Sequence, residues 1–229
     1  MTALPQYRPI RSFVRREGRI TTAQQKALDT LWSRYGVTDQ NTLLDDLNAL
    51  FGRTAARVLE IGFGNGESLA TTAAAHPEVD YLGIEVHRPG VGHLLKLLEE
   101  QGLANVRILC ADAYGILTSR LSNTSLDRIQ IFFPDPWPKK RHHKRRLIQA
   151  PFVALLADKI KPGGILHLAT DWENYAEHMV CVLQGEERLV NSQESGAFAP
   201  RSTDRPPTKF ERRGERLGHR VYDLIYRRC

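Results

Sequence analysis

At 229 residues, with 41% hydrophobic and 25% charged side chains, the chain has the means to build one α/β domain, which excludes disordered and fibrous classes. The net charge of +6 is unevenly spread: residues 1–20 carry five Arg against Glu17, 139–146 carry six Lys or Arg, and 201–229 carry nine against four acids. The remainder is therefore acidic, a layout that suits an anionic polymer as partner. No apolar run reaches the ~18 residues of a membrane span, so no membrane role is expected. Cys110, Cys181 and Cys229 form no CxxC or metal-ligand spacing, which fits a reducing cytosol and no metal.

In chain order, residues 1–20 show no apolar periodicity and are expected to be a basic arm, mobile until bound, rather than an organelle transit peptide. Residues 21–51 place Leu28, Leu31, Trp32, Leu43, Leu44, Leu47 and Leu50 at helical spacing. From Arg57, short apolar runs alternate with helical stretches: Val58–Ile61, a helix near 66–75, Tyr81–Glu85, a helix near 91–101, Val106–Cys110, a short helix near 113–121, and Arg128–Phe133. A helix near 145–160 is expected to stop at Pro162-Gly163-Gly164, and Ile165–Ala169 to form the next strand. The alternating stretch 220–226 reads as an antiparallel strand in the edge region. This succession predicts a doubly wound, mostly parallel α/β sheet, with 21–229 as a single domain.

Ligands of such sheets bind beyond the carboxyl ends of the strands, where five acids stand in succession: Glu60, Glu85, Asp112, Asp135 and Asp171. The first turn, Glu60-Ile61-Gly62-Phe63-Gly64-Asn65-Gly66, is GxGxG and not the dinucleotide GxGxxG. Its glycines allow a ligand close to the backbone, and Glu60 suits a cationic amino-acid group. Glu85 is placed to accept the hydroxyls of a ribose, and Asp112-Ala113 to meet an adenine edge. Together these describe a site for S-adenosylmethionine, with a nicotinamide cofactor as the competitor. On the substrate side, Asp135 stands between Pro134 and Pro136, which limit its freedom, and Trp137 is either a stacking platform for a base or an aromatic plug. The cluster 141–146 starts the following helix in this reading and grips phosphates, with Lys139 at the join, near enough to help hold the substrate. His142 and His143 have no third ligand at a metal-binding spacing.

The segments 60–66, Gly83-Ile84-Glu85-Val86-His87, 132–146, Ala169-Thr170-Asp171-Trp172 and Arg205-Pro206-Pro207-Thr208-Lys209-Phe210-Glu211 closely resemble the bacterial tRNA (guanine-N7)-methyltransferase family over roughly 57–228. The resemblance implies a Rossmann-like class I fold, S-adenosylmethionine as cofactor, and methylation of guanine 46 in the tRNA variable loop. It implies cofactor contacts at Glu60, Gly62, Gly64, Gly66, Glu85, Asp112 and Ala113, and Asp135 as the catalytic acid, itself beside the cofactor. Lys139, Asp171, Thr208, Lys209, Phe210 and Glu211 match substrate-binding positions, and Arg141, His142, His143, Lys144, Arg145 and Arg146 an RNA-contacting run. A cytoplasmic enzyme acting on tRNA as monomer or homodimer is the expectation. Guanine N7 carries no proton, so Asp135 is expected to act, buried and ionised, by orientation and charge stabilisation. Asp135, Asp171 and Glu211 are suited to accept the guanine N1–H and N2–H₂ donors. The alternatives are a methyltransferase directed at an exocyclic amino group, and an RNA-binding protein that has lost its cofactor.

Overall fold

The computed structural model describes residues 18–37, 44–193, 198–202, 205–206, 211, 218 and 220–229. The basic arm expected over 1–20 lies almost wholly outside these residues. Helix α1 (Thr22–Tyr35) opens on a capping box: the Gln24 N–H donates to Thr21 Oγ1 (3.3 Å) and the Thr21 N–H to Gln24 Oε1 (2.9 Å). A second, short helix α2 (Leu47–Phe51) starts on Asp46, whose carboxylate accepts from the Asn48 and Ala49 N–H groups. The helical span expected over 21–51 is thus two helices among the described residues.

From there strand and helix alternate: β1 (Ala56–Ile61), α3 (Glu67–Ala75), β2 (Val79–Ile84), α4 (Arg88–Glu100), β3 (Val106–Leu109), α5 (Ala113–Ser119) and β4 (Leu126–Phe132). A 3₁₀ helix (Lys140–Arg145) precedes α6 (Ala150–Lys159), β5 (Ile160–Thr170), α7 (Glu173–Gln184), β6 (Leu189–Asn191) and β7 (Tyr222–Arg228). The sheet order is β3-β2-β1-β4-β5-β7-β6. β1 to β5 pair in parallel, and β7 is antiparallel to both β5 and β6. The expected doubly wound sheet is therefore present. The last strand is not at the edge, because β6 takes that place beyond it.

Period-two alternation divides the core. Leu59, Ile61, Leu82, Ile84, Ile129, Ile131, Leu166 and Leu168 form one face, packed with α5, α6 and α7 side chains such as Leu117, Phe152 and Met179. Val58 and Tyr81 face the other way, against α1, α3 and α4 through Ala27, Leu69 and Leu94. Glu60 shares this second face. The parallel register sets Gln130 beside it on one side and His167 beyond Gln130 on β5.

The approach to β5 differs from expectation in two ways. The helix before β5 is shorter, because 140–145 winds as a separate 3₁₀ turn and Pro151 opens α6 in its first turn, where a missing N–H costs nothing. Pro162-Gly163-Gly164 sits not after the helix but inside the irregular start of β5, where the pairing shifts between Leu126 and Arg128 and Gly163 has φ +80°.

Candidate active site

The β1–α3 turn, the β2–α4 turn and the end of β4 surround one cleft at the carboxyl edge of the sheet. It has two adjoining parts of about 370 and 230 Å³, with Gly62, Gly64, Phe132 and Phe133 lining both. The glycine turn is possible because Gly62, Gly64 and Gly66 all take positive φ (78°, 59° and 78°). A Cβ on Gly62 or Gly64 would meet only open space, so a ligand has room against the backbone there; one on Gly66 would come within 2.6 Å of Leu94 and push the turn off α4.

Glu60 lines the larger part and is 3% exposed. Gln130 Nε2 donates to its Oε2 (2.7 Å). Burial, opposed by that hydrogen bond and reinforced by the Glu85 charge, pushes the Glu60 carboxyl up to about 7. Glu85 lines the smaller part and already accepts three backbone N–H groups: Gly64 at its Oε2 (2.9 Å), and Val86 (2.7 Å) and His87 (2.9 Å) at its Oε1. A carboxylate has about four acceptor sites, so a ligand hydroxyl would share Oε2 with Gly64. Asp112 is the N-cap of α5 and accepts from the Tyr114 N–H (3.3 Å), and it is Ala113 that lines the cleft. These residues fit S-adenosylmethionine: an almost fully buried carboxylate for an ammonium, a second carboxylate further along the sheet edge for a ribose, and an open glycine cradle between them.

Asp135 also lines the smaller part, but it is exposed, contrary to the expectation of a buried acid. The reason is local. Phe133 (φ +53°) and Trp137 (φ +44°) are both left-handed, and Pro134-Asp135-Pro136 lies between them, past the Phe133 N–H to Ala169 carbonyl bond (2.8 Å) that ends the pairing of β4 with β5. Two non-glycine residues in this region cost about 1–3 kcal/mol each, strain of the kind found at working sites. Trp137 lies under the Arg145 guanidinium (5.0 Å) and edge-on to His142 (5.8 Å).

Lys139, Lys140, Arg141, Lys144 and Arg145 are exposed around this loop, while His142 and His143 are half-buried. Burial and the charges of Arg145, Arg141, Lys139 and Lys144 hold the His142 ring below its usual pKa, favouring the neutral form. Arg146 departs from the expected RNA-contacting role. It is 1% exposed, its Nε donates to the Pro136 carbonyl (3.0 Å), its Nη2 to Asn174 Oδ1 (2.9 Å), and it stacks on Tyr175 (4.7 Å). A guanidinium so enclosed has no face left for a phosphate.

A family model described as "Putative methyltransferase" matches residues 54–224. A protein of Alkalilimnicola ehrlichii named tRNA (guanine-N(7)-)-methyltransferase is 60% identical over 222 residues, which is 96% of this chain and 93% of that protein. Another of that name, from Thiobacillus denitrificans, is 58% identical over the full length of both. The chain belongs to the tRNA (guanine-N(7)-)-methyltransferase family. Solved structures share its fold at far lower identity. The 16S rRNA methyltransferase KamB aligns with a TM-score of 0.60 at 14% identity, over 86% of this chain and 99% of that one. The aminoglycoside resistance methyltransferase NpmB1 gives 0.57 at 14%, over 85% and 98%.

In this member of the family the C-terminal segment is tied to the sheet by buried charges. Thr208, Lys209 and Phe210 lie outside the described residues. Glu211, expected at the substrate, is instead fully buried and paired. Arg205 Nη1 donates to its Oε2 (2.7 Å), and Arg205 Nη2 (2.9 Å) and Arg201 Nε (2.7 Å) to its Oε1. Burial alone would raise its carboxyl, but the Arg205 and Arg201 bonds and charges hold it below the usual value. Arg205 also forks onto Asp223 (Nε and Nη2, both 3.0 Å), which His167 Nε2 contacts at 2.8 Å. Asp171, half-buried just after β5, is not among the residues lining the cleft. Sequence reasoning missed Arg205, Asp223 and His167. The signal was present in part, since His167 falls in β5 and Asp223 in β7, strand positions where burial demands pairing.

Proposed function

We propose that the protein transfers a methyl group from S-adenosylmethionine to N7 of guanine in tRNA, at guanine 46 of the variable loop, in the cytoplasm. The observation that carries this is a juxtaposition. The cleft holding Glu60, the glycine cradle and Glu85 is continuous with Asp135, and the exposed cations 139–145 follow within ten residues of that acid. The relatives' shared name supplies the substrate class. The cofactor, when bound, offers an electrophilic methyl on a sulfonium.

Glu60 holds the ammonium end, Glu85 the ribose, and Ala113 borders the adenine. Asp135 orients the guanine by accepting its N1–H and N2–H₂ donors, with Asp171 as the second acceptor at the neighbouring strand end. N7 presents a lone pair, so no group need remove a proton before transfer. Asp135 instead offsets the positive charge that grows on the purine. Its exposure in the free protein suits this role, because the incoming RNA displaces water and strengthens the carboxylate's field only when substrate is present. Lys139, Arg141, Lys144 and Arg145 hold the phosphates.

The test is labelled methyl transfer to an unmodified tRNA transcript, followed by aniline cleavage at ring-weakened N7-methylguanosine. A single cut at position 46 is expected. Label that resists this cleavage would indicate an exocyclic nitrogen and overturn the assignment.

A further inference from the structure

Among the described residues, the two largest side chains that are fully buried are both arginines, Arg146 and Arg205, and both touch the loop that carries Asp135. Arg205 supports the loop's entry. Its guanidinium lies 5.6 Å from the Phe132 ring centre and 5.6 Å from that of Phe133, and its two forks are fixed by Glu211 and Asp223. Arg146 supports the exit, through its hydrogen bond to the Pro136 carbonyl, and is itself fixed by Asn174 and Tyr175 of α7. Between these supports lie the left-handed Phe133 and the residues up to left-handed Trp137. Strained backbone of this kind persists only where its surroundings over-determine it. Burying a charged fork at each end of a five-residue loop is a costly way to fill space; apolar side chains of similar volume would serve packing as well.

We propose that Arg146 and Arg205 are positioning residues, a two-ended clamp that holds the Phe133–Trp137 loop and so aims Asp135 into the cleft. The clamp also couples the loop to the C-terminal segment through Glu211 and to α7 through Asn174. Neither arginine meets the RNA. The inference rests on the reading that Asp135 acts in methyl transfer, because an aimed carboxylate matters only if it works.

The test compares single-turnover methyl transfer at saturating tRNA and cofactor with tRNA affinity across a salt series. The variants are Arg146→Gln, Arg205→Lys, Asn174→Ala, Phe133→Leu and the Phe133→Leu/Arg205→Lys pair, assayed well below each melting temperature. Arg146→Gln and Arg205→Lys are expected to slow transfer by about tenfold to 100-fold, the scale of a misplaced reacting group. Their tRNA affinity should stay within about twofold, with an unchanged salt slope, since no phosphate contact is lost. Asn174→Ala, on an exposed side chain that leaves folding intact, should slow transfer by about fivefold, as expected for one lost hydrogen bond. In the Phe133→Leu background, Arg205→Lys should add little, because its effect runs through that ring.

A salt slope reduced by roughly 0.7–0.9 in Arg146→Gln at an unchanged rate would make it a phosphate contact and overturn the clamp. So would wild-type rates in Arg205→Lys and Asn174→Ala with only melting temperatures lowered, or full additivity with Phe133→Leu. Wild-type protein that transfers no methyl to tRNA would instead defeat the functional reading on which the clamp rests.

Discussion

Replacing Glu60 by Gln should make the protein more stable at alkaline pH while weakening its hold on cofactor. The wild-type carboxyl lies near 7 in the folded protein, against 4.5 without the fold, because it is buried beside Glu85 with Gln130 as its hydrogen-bond donor. The folded state therefore keeps its proton through a range in which the unfolded chain has released it. Stability is fully present below 4.5, falls as pH rises toward 7, and is flat above. A shift from 4.5 to about 7 corresponds to about 3 kcal/mol over that window. The substituted amide keeps the shape and can still accept from Gln130, but never ionises. Urea unfolding should therefore separate the two proteins by under about 1 kcal/mol at pH 5 and by about 3 kcal/mol at pH 8, with the variant the more stable. S-adenosylhomocysteine should bind the variant more weakly, and wild-type affinity should rise with pH through about 7 as the carboxylate forms. Parallel stability–pH curves for the two proteins would refute the argument.

Three further outcomes follow from the site. Asp135→Asn should lower the transfer rate by about 10²–10³ with melting temperature unchanged, since the side chain is exposed; near-normal turnover in a stopped assay would remove its electrostatic role. Lys144→Ala/Arg145→Ala should flatten the dependence of log tRNA affinity on log salt by roughly 0.7–0.9 per lost contact, and an unchanged slope would mark a merely solvated face. Glu211→Gln removes the buried charge that pairs with Arg205 and Arg201 and should cost about 3–5 kcal/mol in urea unfolding; a variant as stable as wild type would deny the ion network its structural place.

Much of this was legible in the sequence, for reasons that are local. β1 to β4 are short apolar runs broken by turn residues and helices, and all five of the strand-end acids fall on or within three residues of a strand end, as the alternation required. The glycine turn could be read because left-handed backbone selects glycine. α7 is equally readable from Tyr175, Ala176, Met179 and Leu183 at helical spacing, although it is not among the helices expected above, and β6, at three residues, is too short to carry a period. What could not be read depends on tertiary enclosure. Arg146 ends a run of cations and looks like its neighbours; only the folding of α7 over it makes it a buried strut. Glu211 looks like a free acceptor until Arg205 and Arg201 close on it, and Arg205 is held there by Asp223, which arrives from β7 eighteen positions later. The exposure of Asp135 goes with left-handed Phe133 and Trp137 on either side of it, a backbone state that neither residue type announces.

The most direct measurement is methyl transfer to two tRNA transcripts that differ only at position 46, one with guanosine and the other with 7-deazaguanosine. The deaza base keeps the N1–H and N2–H₂ donors that Asp135 and Asp171 would recognise, and it keeps the shape, but it has no N7 lone pair. Incorporation of labelled methyl into the first and none into the second, with equal affinity for both, is the result predicted. Equal labelling of both would place the methyl elsewhere on the RNA and contradict the account.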